Sequence, residues 1–179
     1  MTPRDRARRV RLLVMDVDGT LTDGTLWVMP DGEEVKGYHV RDGLGILLAK
    51  MAGLTCAIIT GKSSVSVTKR AEKLKIAETH QGIMDKKERL AVILQKHELS
   101  MREAAFIGDD LGDLEVIRSV GFAGAPADAD PAVKRHCHFV SKYPGGRGAV
   151  REFIEFILKA QGKWRGVESR AHEIKSFEI

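Results

Sequence analysis

Two carboxylates, Asp16 and Asp18, stand one residue apart where the apolar run Leu12-Leu-Val-Met15 ends, and Gly19 and Thr20 follow them. Asp109, Asp110 and Asp113 follow a second apolar run, Ala104-Ala-Phe-Ile107. A third run, Leu54 to Ile59, ends at Thr60-Gly61, and Lys86 opens a helical pattern behind Asp85. Carboxylates gathered at one place raise one another's pKa unless a cation offsets them. A hard divalent ion with oxygen ligands, most simply Mg²⁺, is the natural offset. An aspartate, a threonine hydroxyl, a lysine and a metal together can hold the oxygens of a phosphoryl group, with backbone N–H groups near Asp18 and Gly61 completing the set. The cation also lets an anionic carboxylate approach phosphorus. Asp16 is then a nucleophile that forms an aspartyl-phosphate, and Asp18 an acid to the leaving alcohol and afterwards a base to water. Alone, Asp16-Val-Asp-Gly19 reads equally well as a capped strand end, because Asp and Gly are ordinary turn residues. Its downstream partners are what favour a site.

The elements that must position these groups follow from hydrophobic pattern. The three apolar runs read as strands buried on both faces, as in the middle of a parallel sheet. In open α/β sheets ligands bind beyond the carboxyl ends of the strands, where Asp16, Asp18, Thr60 and Asp109 fall. Pro30-Asp-Gly32 between short segments bearing Trp27, Val28, Val35 and Tyr38 predicts a β-hairpin over about 25–38, since Pro presets φ and Gly accepts a positive one. Asp42 is expected to cap a helix through Leu44, Ile46, Leu47, Leu48 and Met51, and a second helix is expected from Ser63 or Ser64. Asp85 and Glu88 mark the start of another. Strand and helix alternate throughout, which predicts an α/β, Rossmann-like three-layer α/β/α fold with a mainly parallel sheet.

Composition sets the bounds. The chain has 179 residues, 43% of them apolar and 30% charged, which suits one soluble globular domain. Its net charge of +4 owes much to Arg4, Arg6, Arg8, Arg9 and Arg11, read as a basic tail over residues 1–10 rather than a nucleic-acid surface. The domain is expected over 11–164, with a second loose tail over 165–179 in which Phe177 and Ile179 could dock. No stretch approaches the roughly 20 apolar residues of a membrane span, and no apolar signal core follows the arginines, so a cytoplasmic location is expected. Two cysteines are too few for a disulfide framework or a closed zinc site, and His136 and His138 read as polar strand residues rather than metal ligands.

Asp16-Val-Asp-Gly-Thr20, Ile59-Thr-Gly61, Lys86 and Gly108-Asp-Asp-Leu-Gly-Asp113 resemble the four motifs of the haloacid dehalogenase superfamily, in order and at the ends of the right elements. That resemblance implies Asp16 as nucleophile, Asp18 as the acid/base that also offers Mg²⁺ its main-chain carbonyl, and Asp109 as a further metal ligand. Thr60 and Lys86 would hold the phosphoryl group, Asp113 would support the site, and the role of Asp110 stays open. The hairpin in place of a cap domain, Val40-Arg-Asp-Gly43, Gln81-Gly82, Asp85-Lys86 and Gly145-Gly-Arg-Gly-Ala-Val-Arg-Glu152 resemble the 3-deoxy-D-manno-octulosonate 8-phosphate (KDO 8-phosphate) phosphatase group. The resemblance covers about Arg11 to Trp164. It implies a homotetramer whose hairpins pack together, with a carboxy-terminal segment helping to close a neighbour's site. It also implies that Arg41, Gly61, Lys62 and Arg147 meet the substrate, the two arginines facing a sugar-acid carboxylate. The group commonly carries an arginine after Thr-Gly where this chain has Lys62, a point charge without a bidentate fork.

Two other classes share these features. A phospho-accepting signalling domain uses an Asp, a hydroxyl, a Lys and Mg²⁺, but an acid/base at the position of Asp18 promotes turnover that a switch avoids. A quiet oligomerisation module would not need the motifs intact. Among enzymes, a phosphatase of nine-carbon sugar-acid phosphates is the alternative to one acting on the eight-carbon acid. Neither a nucleic-acid nor a membrane partner is expected.

Overall fold

Eight strands form two sheets in a computed structural model of the protein, which describes residues 1–174. The strands are β1 (Leu12–Met15), β2 (Trp27–Val28), β3 (Glu34–Val35), β4 (Thr55–Ile59), β5 (Glu78–His80), β6 (Ala104–Ile107), β7 (Phe122–Ala125) and β8 (Phe139–Val140). Six lie in the order β5-β4-β1-β6-β7-β8, every neighbouring pair parallel, and β2 and β3 pair antiparallel as a separate hairpin. β1 is central, with Met15 in register with Ile58 of β4 and Ile107 of β6. The residues just past those three positions therefore share one edge of the sheet.

β1, β6 and β7 are apolar and buried throughout, and β4 nearly so, because both faces of the sheet are covered there. Side chains alternate across a strand, and here Leu13, Met15, Cys56, Ile58, Ala105, Ile107 and Phe122 join one buried cluster. Leu12, Val14, Ala57, Ile59, Ala104, Phe106, Ala123 and Ala125 join the other. The first cluster is closed by α1 (Pro3–Ala7), α2 (Val40–Met51), α3 (Val65–Lys73), α7 (Ala149–Ala160) and α8 (Trp164–Ser169). The second is closed by α4 (Lys86–Lys96), α5 (Leu114–Ser119) and α6 (Pro131–Lys134). This is the three-layer arrangement expected from the alternation of elements, with the hairpin emerging between β1 and α2.

Three local expectations change. Residues 1–10 are not a solvated tail. Thr2 and Asp5 form a capping box, Pro3 starts α1, and Ala7 and Val10 are buried against the first cluster. The arginines mask this in composition, but two of them are fastened: Arg6 donates to the Gly121 carbonyl and Arg8 to that of Ala160. Beyond residue 164 the chain continues as α8, with Val167 buried and the Trp164 ring 5.2 Å from both the Arg151 and Lys159 charges. Phe177 and Ile179 lie outside the described residues. Asp42 does not cap its own helix, which begins earlier behind His39. Its buried carboxylate instead accepts from the backbone N–H groups of Gly148 and Arg151, at 3.2 and 2.7 Å, and so caps α7. Among the described residues no helix is long and apolar enough to cross a membrane.

Candidate active site

Asp16 follows β1 directly and is 5% exposed, its backbone N–H bonded to the Ile107 carbonyl. Asp109 follows β6 by two residues. Carboxylate oxygens of Asp16, Asp109 and Asp113 lie within 4.8 Å of one another. Lys86, the first residue of α4, reaches into this group and donates from Nζ to Oδ1 of Asp16 and Oδ1 of Asp113, both at 2.6 Å. The α4 start is fixed by Asp85, which accepts the Glu88 N–H as an N-cap, so the lysine leaves the helix at a defined place.

The charges do not balance within the protein. Three carboxylates face one ammonium, and the carboxyl groups respond. Burial, with Asp113 nearby, pushes Asp16 up to about 7 despite Lys86. Burial likewise raises Asp109 to about 6, against the hydrogen bond that Thr20 donates to its Oδ1 at 3.0 Å. Lys86 loses by burial but gains more from Asp16 and Asp113, and its pKa rises. A buried excess of two negative charges among oxygen donors fits a hard divalent cation. Asp113 already commits both oxygens, Oδ1 to Lys86 and Oδ2 to the Asp109 N–H at 3.0 Å, so it orients the loop and the lysine. Asp16 and Asp109 keep carboxylate oxygens that could hold such an ion.

Asp110 is exposed and accepts the Leu111 N–H at 2.7 Å, capping the 3₁₀ turn Leu111–Asp113. Its role is local. Gly19 has φ +87°, and a Cβ there would overlap the Asp109 carboxylate. Gly145 packs equally closely on the Gly19 carbonyl, which brings the glycine-rich segment down onto the loop after β1.

The remaining predicted residues divide into two places. Thr60 is buried at the end of β4, next to β1, with its backbone held by the His80 carbonyl. Gly61 and Lys62 are exposed just beyond it, where Lys62, Ser63 and Ser64 face Gly32, Glu33 and Glu34 of the hairpin turn across a cleft of about 530 Å³. Arg41 and Arg147 do not join Asp16, Asp109 and Asp113. They line a different cleft with Leu44, Phe139 and Phe156, and Arg147 pairs with Asp23 at 3.1 Å. His136 meets Arg118 and His138 accepts the Ala123 N–H, so the two histidines serve separate partners.

One residue escaped the sequence reading. Lys36, just past β3 of the hairpin and 6% exposed, donates from Nζ to Oδ1 of Asp18. Nothing in its spacing marks it out from the exposed lysines.

A haloacid dehalogenase-like hydrolase family profile matches residues 76–154. The chain is 40% identical over 158 residues to the 3-deoxy-D-manno-octulosonate 8-phosphate phosphatase of Escherichia coli K12, covering 88% of this chain and 84% of that protein. It is 41% identical over 161 residues to the Yersinia pestis protein of the same name, covering 90% and 86%. Among solved structures, the corresponding phosphatase of Moraxella catarrhalis, described in complex with magnesium, phosphate and KDO, superposes with a TM-score of 0.92. It is 37% identical, with 94% of this chain and 97% of that one covered. A probable YrbI family phosphatase from Pseudomonas syringae has the same TM-score at 42% identity, covering 97% and 98%. With a relative of that identity aligned over most of both lengths, and with the carboxylates and lysine of its motifs gathered at one sheet edge, the chain belongs to the haloacid dehalogenase-like hydrolase family.

Proposed function

We propose that the protein is a Mg²⁺-dependent phosphomonoesterase that hydrolyses KDO 8-phosphate to KDO and phosphate through an aspartyl-phosphate on Asp16. The observation that carries this reading is the buried cluster of Asp16, Asp109 and Asp113 around the single ammonium of Lys86. Identity of 40% to a named KDO 8-phosphate phosphatase over 88% of the chain supports the substrate.

Magnesium held by the carboxylates of Asp16 and Asp109 and the main-chain carbonyl of Asp18 would supply positive charge to the phosphoryl oxygens. Lys86 holds Asp16 by one oxygen, leaving the other to attack phosphorus. It also neutralises charge that would otherwise repel the substrate. Asp18 gives its proton to the leaving alcohol oxygen as the P–O bond breaks, then takes one from the water that cleaves the acyl phosphate. Thr60 offers a hydroxyl, and Gly61 a backbone N–H, to the phosphoryl oxygens. Lys62, at the mouth of the cleft beside the hairpin, suits the sugar-acid end of the substrate.

A homotetramer packed through its hairpins is part of the reading. Trp27 and Val28 are 66% and 68% exposed on β2, an apolar surface that a partner copy would cover. Arg41 and Arg147, which do not join Asp16, Asp109 and Asp113 of their own chain, then serve a neighbour's site. Two unpaired cysteines, Cys56 and Cys137, suit a cytoplasmic enzyme.

The test is phosphate release from a panel of eight- and nine-carbon 2-keto-3-deoxy sugar-acid phosphates with simple sugar phosphates as controls. The reading expects KDO 8-phosphate to show the highest kcat/KM. Equal values across the panel would remove the substrate assignment while leaving the phosphatase.

A further inference from the structure

We propose that Lys36 is a positioning residue for the acid/base, fastening the hairpin to the site through Asp18 and fixing which carboxylate oxygen faces the leaving group. This rests on the roles given above to Asp16 and Asp18. Lys36 is nearly inaccessible, and a buried ammonium is stable only with a partner. Asp18 is that partner, through Oδ1. Beyond Thr25, whose backbone N–H is held by the neighbouring Asp23 carboxylate, this is the one hydrogen bond among the described residues that joins residues 26–37 to the α/β domain. The others in the hairpin are internal: Met29 to Glu33, Gly32 to Met29 and Glu33 to Asp31.

Three consequences follow from that geometry. Asp18 sits on a loop after β1 and is only partly buried, so nothing on its own element holds its carboxylate in one orientation. With Oδ1 taken by Lys36, Oδ2 is the oxygen left to carry the proton toward the substrate. In the first chemical step an oxygen of Asp16 forms a bond to phosphorus, the bond from phosphorus to the alcohol oxygen breaks, and its electron pair stays on that oxygen. The Oδ2 proton of Asp18 passes to the same oxygen, so the alcohol leaves neutral. A hairpin displaced from the domain takes Lys36 with it and frees Asp18 to rotate, so proton delivery depends on the hairpin being seated.

The test is leaving-group dependence, read as kcat/KM because that quantity covers steps only through departure of the alcohol. A sugar-acid phosphate needs a proton on its leaving oxygen, whereas p-nitrophenyl phosphate releases a stabilised phenolate without one. General acid catalysis contributes about 10² to 10⁴-fold, so Lys36→Met is expected to lower the sugar-phosphate to aryl-phosphate ratio of kcat/KM at least tenfold. Lys36→Gln, closer in length and polarity, is expected to lower it in the same direction. Lys36→Arg, which keeps the charged donor, should retain most of the wild-type ratio. In an Asp18→Asn background, Lys36→Met should leave the ratio where Asp18→Asn has put it. Equal losses on both esters, or a ratio unmoved in a folded variant, would overturn the role of Lys36 alone. A wild-type chain that releases phosphate from neither ester overturns the phosphatase reading and this role with it.

Discussion

The ammonium of Lys86 donates to Oδ1 of Asp16 at 2.6 Å across 70 residues of chain, and the bond is almost fully shielded from solvent. It joins the end of β1 to the start of α4 and leaves the second Asp16 oxygen as the only one free to react. Lys86→Met is therefore expected to lower kcat by about 10² to 10³-fold, the usual cost of one preorganised donor to developing negative charge. The same substitution strands the Asp113 carboxylate, which also relies on Lys86. Steady-state phosphate release measures the first effect, and a kcat within threefold of wild type would count against the arrangement.

Metal and protons should compete for the same carboxylates. Without metal, Asp16 is raised to about 7 and Asp109 to about 6, chiefly by burial, from unfolded values near 3.9. The folded state then binds more protons than the unfolded one across that interval. Stability of the metal-free protein from these two groups is fully present below about pH 4 and falls as pH rises toward 7. Mg²⁺ binds the ionised forms, so its stabilisation grows over the same interval. Thermal denaturation with Mg²⁺ and with chelator should show a larger metal-induced rise in Tm at pH 8 than at pH 5.5. An equal rise at both would mean that these carboxylates are not its ligands.

Gly19 offers a narrow probe of the metal site. With φ +87° and Asp109 where a Cβ would stand, Gly19→Ala must shift either the loop after β1 or the Asp109 carboxylate. The expected outcome is at least tenfold weaker Mg²⁺ activation, seen in the metal concentration for half-maximal rate, with the far-ultraviolet circular dichroism retained. Gly112→Ala, where nothing stands within 4 Å of a Cβ, is the matched control and should leave metal dependence alone.

The fold was legible because its central strands are apolar without alternation, as β1, β4 and β6 all are, and because a carboxylate or hydroxyl follows each of them. The convergence of Asp16, Lys86 and Asp109 follows from that placement. Other features depend on tertiary placement. Asp42 has the residue type of an N-cap and is one, but for a helix more than a hundred residues away. Asp110 and Asp113 are alike in sequence, and only burial separates the exposed cap from the carboxylate that holds Lys86. The signals for α1 were present in Thr2, Pro3 and Asp5, yet the surrounding arginines made the segment read as a tail. Lys36 had no signal at all, since only its burial and its bond to Asp18 distinguish it from the exposed lysines.

The central claim is that Asp16 accepts the phosphoryl group of KDO 8-phosphate with Mg²⁺ bound beside it. The most direct measurement is phosphate release from that ester by the wild-type chain and by Asp16→Asn, each with Mg²⁺ and with chelator. The account predicts turnover only for the wild type with Mg²⁺ and a loss of at least about 10³-fold in the variant, as expected when the nucleophile itself is removed. Full Mg²⁺-dependent release by Asp16→Asn would contradict it.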